Sequence, residues 1–234
     1  MSYISENKPL LGRLTFLVGI NVAVFAATIT ASAFGIDLLA VLSLVAGRPL
    51  DWGPLTYMFA HSGFIHFAAN MLILIAYGSL ASGLGLANAL IPLYLAGGFI
   101  GAAAFLLVAP DGAMLAGASA AVLCLLTAFS IWAYDIHVAL PGGLHPKLAA
   151  LSAPFIAVVL VNAIFFSETG AAAAHIAGMA CGIAAAAGFY TPARAILMRT
   201  RRSRSELRQR RHHAIRKAVV SGYNALNKAE KESL

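Results

Sequence analysis

Residues 171–190 read AAAAHIAGMACGIAAAAGFY, an uncharged run interrupted by a single imidazole. Crossing ~30 Å of hydrocarbon at ~1.5 Å per residue takes about 20 residues, so this run is long enough to span a bilayer as one helix. A helix is required, because backbone N–H and C=O groups find no water in lipid and must bond within the segment. His175 is costly at such a depth, and an intramembrane polar side chain calls for a functional reading. Gly178 and Gly182 stand at the GxxxG spacing that lets two membrane helices approach backbone to backbone. Gly178 lies one turn below His175 on nearly the same face, so the close contact falls beneath the imidazole and carries it toward the partner helix.

The rest of the chain has the same character. Of its 234 residues, 60% are apolar and 11% charged, with a mean hydropathy of +0.83. Soluble domains are about half apolar and about a quarter charged, so a soluble enzyme, a disordered chain and a disulfide-stapled secreted domain are all excluded. Five further apolar runs precede the first one quoted, at about 14–34, 64–86, 89–108, 114–134 and 148–166. The alternation of a membrane barrel is absent. The expected fold is therefore all-α, a bundle of six transmembrane helices with a long first outer loop and a basic cytoplasmic tail. The first run is expected to be a span, not a cleaved signal, since more spans follow it.

Charge sets the orientation. Between Arg13 and Pro192 the charged residues are Arg13, Asp37, Arg48, Asp51, Asp111, Asp135, Lys147 and Glu168. From Thr191 to Leu234 there are twelve Lys/Arg against three Glu, a local +9 that exceeds the +7 of the whole chain. The positive-inside rule puts this tail in the cytoplasm, and an even number of spans puts the N-terminus there too. The expected outer-loop residues Asp37, Arg48, Asp51, Asp111 and Glu168 sum to −3, which agrees. The chain divides into a cytoplasmic N-terminus (1–12), a six-span membrane domain (13–192) and the basic tail (193–234). A bacterial inner membrane fits this pattern.

Residues 35–63 are too long for a plain linker. Leu39, Leu42 and Val45, with Trp52 and Tyr57 further along, suggest a segment lying at the interface. In the tail, Ile215, Val219, Tyr223 and Leu226 recur at helical spacing among the arginines. This reads either as an amphipathic helix on the anionic inner leaflet or as topology-setting charge on a looser segment. Nucleic acid is not expected as a partner, because lipid is the nearer polyanion. No internal repeat is visible, which weakens a transporter built from inverted halves. Cys124 and Cys181 lie in apolar runs and read as small buried hydrophobes.

The main polar candidates within the spans are His66, Asn70, Ser119, Asn162 and His175, with His61 just before the second span. The second, fourth and sixth spans all run inward. Ser119 stands eight residues after Asp111 and His175 seven after Glu168. At ~1.5 Å per residue both sit roughly 10–12 Å past those markers, at one depth. His66 and Asn70, at i and i+4, share one face near the outer start of their span. The small residues Gly117-Ala118-Ser119-Ala120-Ala121 permit close approach. A hydroxyl, two imidazoles and a carboxamide can thus converge below the outer surface. A serine hydroxyl is a weak nucleophile until a neighbouring imidazole takes its proton. A helix start at Ser119 also leaves free backbone N–H groups to face an oxyanion. No Asp or Glu lies in the sixth span to orient the imidazole, so a three-member triad is not supported.

Three motifs in order resemble the rhomboid intramembrane serine proteases, over nearly all of residues 10–192. Trp52, Leu55-Thr56-Tyr57-Met58-Phe59-Ala60-His61 and His66-Phe67-Ala68-Ala69-Asn70-Met71 look like the loop and second-helix signature. Gly117-Ala118-Ser119 is similar to the GxS nucleophile motif, and Ala174-His175 with Gly178 and Gly182 to the AHxxGxxxG base motif. The resemblance implies a Ser119–His175 dyad, with His66 and Asn70 adding donors to the oxyanion hole. Gly117, Gly178 and Gly182 would pack the site, and His61 would be a structural hydrogen-bonding residue of the loop. It also implies transmembrane proteins as substrates, no metal or organic cofactor, and a lateral gate and cap at the fifth helix and its loop, including Phe165 and Phe166. The chain departs from the family at Gly53, where Arg is frequent, at Ala120, where Gly is common, and at Leu123, where Tyr or Phe often packs on the base.

No HExxH string supports a zinc protease, and Tyr134-Asp135 has no GxGD partner for an aspartyl type. The chief alternative is a catalytically inactive rhomboid-like protein that binds membrane helices. Asn21 and Asn162 receive no role, and His137, His145, His212 and His213 are expected on solvated surface.

Overall fold

Apolar runs become helices wherever their backbone has no other way to bond. The computed structural model describes residues 8–48, 52–138, 143–165, 168–221 and 223–232. The long helices are α1 (Lys8–Ala33), α4 (Phe64–Gly83), α5 (Leu90–Val108), α6 (Ser119–Trp132), α7 (Leu148–Phe165), α8 (Thr169–Gly188) and α9 (Tyr190–Ser221). Short helices α2 (Leu38–Leu42) and α3 (Gly53–Thr56) lie between α1 and α4, and α10 (Lys228–Glu232) closes the described chain. Among the described residues, Gly12–Ala33, Phe64–Gly83, Ala87–Val108 and Thr169–Gly188 are long and apolar enough to cross a membrane. Ser119–Trp132 and Leu148–Val161 are apolar but shorter.

The run expected as a helix over 114–134 starts five residues late. Met114–Leu115 is a strand, β2, pairing antiparallel with β1 (Leu44–Val45), with Leu44 opposite Leu115 and Val45 opposite Met114. Backbone groups that bond across this ladder are not available for a helix. Gly117 then takes a φ of +137°, a conformation that a side chain would strain. Residues 114–117 therefore descend as non-helical chain, Ala118 turns into the helical region as the N-cap, and α6 begins at Ser119. The connection between α1 and α4 forms the roof above this point. Gly53 of α3 presses on β1 so closely that an added Cβ would stand 2.9 Å from the Leu44 Cα, which leaves no room for a side chain at this position.

α6 is the centre of the bundle, buried along almost its whole length. Two neighbours press on it through glycine. From α5, an added Cβ at Gly97 would stand 2.4 Å from the Cys124 Cβ, and one at Gly101 2.5 Å from the Ala120 Cβ. From α8, Gly178 and Gly182 meet the carbonyls of Ala120 and Cys124, with an added Cβ at 2.3 and 2.5 Å. α1 packs on α4 through Leu14 against Gly78 and through the stacked rings of Phe25 and Phe67, 4.3 Å apart.

Buried polar groups clamp this packing. Asn21 of α1 donates to the Leu17 carbonyl at 2.8 Å and to the Tyr94 hydroxyl of α5 at 3.1 Å. Tyr94 in turn donates to the Met58 carbonyl at 2.7 Å. Tyr57 donates to the Gly98 carbonyl. Further down, Ser152 of α7 joins the hydroxyls of Tyr77 of α4 and Ser130 of α6. At the opposite end from the roof, Trp132 donates to the Ala186 carbonyl at 3.1 Å, and Arg194 of α9 meets Asp135 at 2.7 Å.

Candidate active site

Ser119 is the first residue of α6, and His175 lies in the second turn of α8. The Ser119 Oγ and His175 Nε2 atoms are 2.7 Å apart. The glycine contact beneath them explains the reach. Gly178 rests on the Ala120 carbonyl, so α8 runs against α6 backbone to backbone one turn below the imidazole. With the Ser119 hydroxyl donating to Nε2, the ring proton sits on Nδ1. That Nδ1 is buried and has no hydrogen-bond partner among the described residues. No carboxylate orients the ring among those residues, so the arrangement is a two-membered hydrogen-bonded pair.

A cavity of about 290 Å³ opens at the pair. Its lining brings together His66, Asn70, Ser119 and His175, with Leu123 of α6 and Phe155, Val158 and Val159 of α7 among the apolar walls. Asn70 is buried, and its amide donates to the His66 carbonyl at 2.9 Å, leaving a second N–H on the same nitrogen. The His66 ring lies over Gly117, where an added Cβ would stand 2.7 Å from Nε2. The α6 N-terminus has no side-chain cap, so the Ser119, Ala120 and Ala121 amides have no partner within the helix.

The roof holds the loop before Ser119 by main-chain bonds. The Gly117 N–H donates to the Tyr57 carbonyl at 2.9 Å. His61, 1% exposed, stands with Nδ1 3.2 Å from the Phe59 carbonyl and Nε2 3.4 Å from the Ala118 nitrogen. One neutral tautomer satisfies both contacts, donating from Nδ1 and accepting at Nε2. Burial, helped by the neighbouring His66, pushes the His61 pKa down to about 4, with the Phe59 contact pulling the other way.

Tyr57, Tyr94 and Asn21 support the site indirectly, and spacing alone does not reveal them. Each is a polar group in an apolar stretch, which is a signal, but Asn21 and Tyr94 meet across 73 positions of chain. The gate and cap implied at the fifth helix and its loop include Phe165 and Phe166; Phe166 and the Phe165 side chain lie outside the described residues, as does the Asn162 side chain. Leu123 stands in the cavity wall beside the dyad.

A family model for the Rhomboid domain matches residues 51–192, well over half of the chain. The chain belongs to the rhomboid family of intramembrane proteases. No curated protein matches it as a close relative.

Proposed function

We propose that this chain is an active rhomboid-type intramembrane serine protease that cuts transmembrane segments through a Ser119–His175 dyad. The observation that carries the reading is the 2.7 Å contact between hydroxyl and imidazole inside a cavity that His66 and Asn70 also line. His175 Nε2 accepts the Ser119 proton as Oγ attacks the scissile carbonyl carbon. The oxyanion that forms faces the open α6 amides and the His66 and Asn70 side chains. Collapse breaks the C–N bond, and the imidazolium gives its proton to the departing amine. The acyl-enzyme is then cleared by a water that His175 deprotonates. These steps require no metal or cofactor.

Six apolar helices, including the shorter α6 and α7, form the membrane unit in this reading. The roof side faces outward, both termini lie in the cytoplasm of a bacterial inner membrane, and the basic tail lies by anionic lipid. Substrates are transmembrane helices that unwind locally, because a carbonyl held in a helix is shielded from attack. The alternative, an inactive membrane-helix binder, retains the fold but needs no polarised serine.

Two measurements on purified protein in proteoliposomes separate the readings. A serine-directed fluorophosphonate labels the native chain at Ser119, and a panel of membrane-helix substrates is cut at sites read by mass spectrometry. Ser119→Ala loses both while keeping the native thermal transition. Full turnover by a folded Ser119→Ala variant would overturn the assignment.

A further inference from the structure

α9 leaves the bundle in a definite direction. Its first three turns are tied sideways to two separate corners. Arg194 meets Asp135 beyond α6 at 2.7 Å, and Thr200 donates to the Leu84 carbonyl beyond α4 at 3.3 Å. Ile196 and Thr200 also close over Gly85, 3.2 and 3.1 Å from where its Cβ would stand. A helix anchored at both corners lies across the end of the bundle and does not point away from it. Buried Ala193 and Leu197, with half-buried Arg194 and Thr200, mark the face turned to the bundle.

That face continues past the bundle. At ~3.6 residues per turn, eleven residues make three turns to within about 20°. Arg208 and Arg211 therefore repeat the positions of Leu197 and Thr200, and Ile215 and Val219 follow on the next turns; all four are exposed. Past the bundle, the described ion pairs of α9 lie on the other side: Arg202 with Glu206 at 3.1 Å, and Lys217 and His213 with Glu230 at 2.9 and 3.7 Å. The acidic groups of these pairs thus lie away from Arg208 and Arg211. A helix lying across the end of a membrane-embedded bundle turns this same face to the headgroup layer around it.

We propose that the Arg208–Arg211–Ile215–Val219 face of α9 docks on anionic lipid headgroups of the leaflet at the tail end. The guanidiniums bond phosphate, while Ile215 and Val219 reach the apolar boundary. This specifies the surface for the lipid contact named above, and it rests on residence in the membrane, not on proteolysis.

The test uses the full chain in nanodiscs of phosphatidylcholine alone or with phosphatidylglycerol, followed by amide hydrogen exchange of residues 205–221. Exchange is expected to slow by about tenfold in the anionic discs, and high salt to reverse it. The double variant Arg208→Glu/Arg211→Glu loses the lipid effect, whereas Arg199→Glu/Arg210→Glu, on the opposite side, keeps it. Fluorophosphonate labelling of both variants, or an unchanged thermal transition if neither chain labels, shows that the bundle is intact. The proposal fails if lipid charge has no effect on the native chain or if the two double variants behave alike. It also fails if RNA, and not anionic lipid, protects the segment.

Discussion

The Ser119–His175 contact brings two groups on different helices into one hydrogen bond. Asn70 lines the cavity with an N–H to spare. Since one oxyanion donor is worth about 3 kcal/mol in the transition state, Asn70→Ala should lower kcat about a hundredfold with little change in KM. Initial rates over a range of substrate density in proteoliposomes measure that split. His61 gives a pH prediction. Its folded pKa of about 4 lies below the ordinary 6.5, so between these values the unfolded chain binds a proton that the folded chain refuses. The stability it contributes is complete above pH 6.5 and is lost as pH falls toward 4. Thermal transitions in detergent should fall over that window in the native chain and fall less in His61→Gln, which does not titrate. The types and spacing of the candidate residues were legible in the sequence, because histidine and amide side chains are few in its apolar runs. The tautomer of His61 and the orphaned Nδ1 of His175 were not, because each depends on what lies opposite in space.

Element packing turns on glycine. Gly178→Ala would place a methyl 2.3 Å from the Ala120 carbonyl, so α8 must move off α6. A cost of roughly 1–3 kcal/mol is expected, together with loss of fluorophosphonate labelling as the hydroxyl and imidazole part. Gly188→Ala is the matched control, since nothing lies within 4 Å of its added Cβ. It should leave both stability and labelling intact. The second element-scale device is the hydroxyl group of Ser152, which ties α7 to Tyr77 and Ser130. Interhelical hydrogen bonds in membranes average about 0.6 kcal/mol, so Ser152→Ala should cost about 1 kcal/mol or less by equilibrium unfolding in detergent. The GxxxG spacing announced a close helix contact from the sequence. Its partner surface did not follow from spacing, nor did the matching approach of Gly97 and Gly101 of α5 to the same stretch of α6. The late start of α6 was likewise hidden. Residues 114–118 are apolar enough to continue a membrane helix, and only the pairing of β2 with β1, some 70 residues away in sequence, draws Met114 and Leu115 into extended form.

For the whole molecule, charge asymmetry predicts that both termini share the cytoplasmic side. A C-terminal green fluorescent protein fusion should fluoresce, and a C-terminal alkaline phosphatase fusion should stay inactive; the reverse pattern would invert the topology. The Arg194–Asp135 pair is half-exposed, with Arg194 also 5.3 Å from the Tyr134 ring, and the hydrogen bond to Asp135 raises the Arg194 pKa. It directs α9 across the bundle end more than it stabilises the fold.

Membrane residence, helical class, the order of the apolar runs and the identity of the polar groups within them all followed from the chain alone. Each rests on local chemistry: a backbone without water must bond to itself, and a polar side chain in such a run stands out. What the tertiary structure decided was convergence. The dyad distance, the roof bonds to Gly117 and Ala118, the α7 wall of the cavity and the face that α9 turns to the bundle all join residues far apart in sequence. Helical periodicity says which residues share a face, but only packing between helices selects the face opposite.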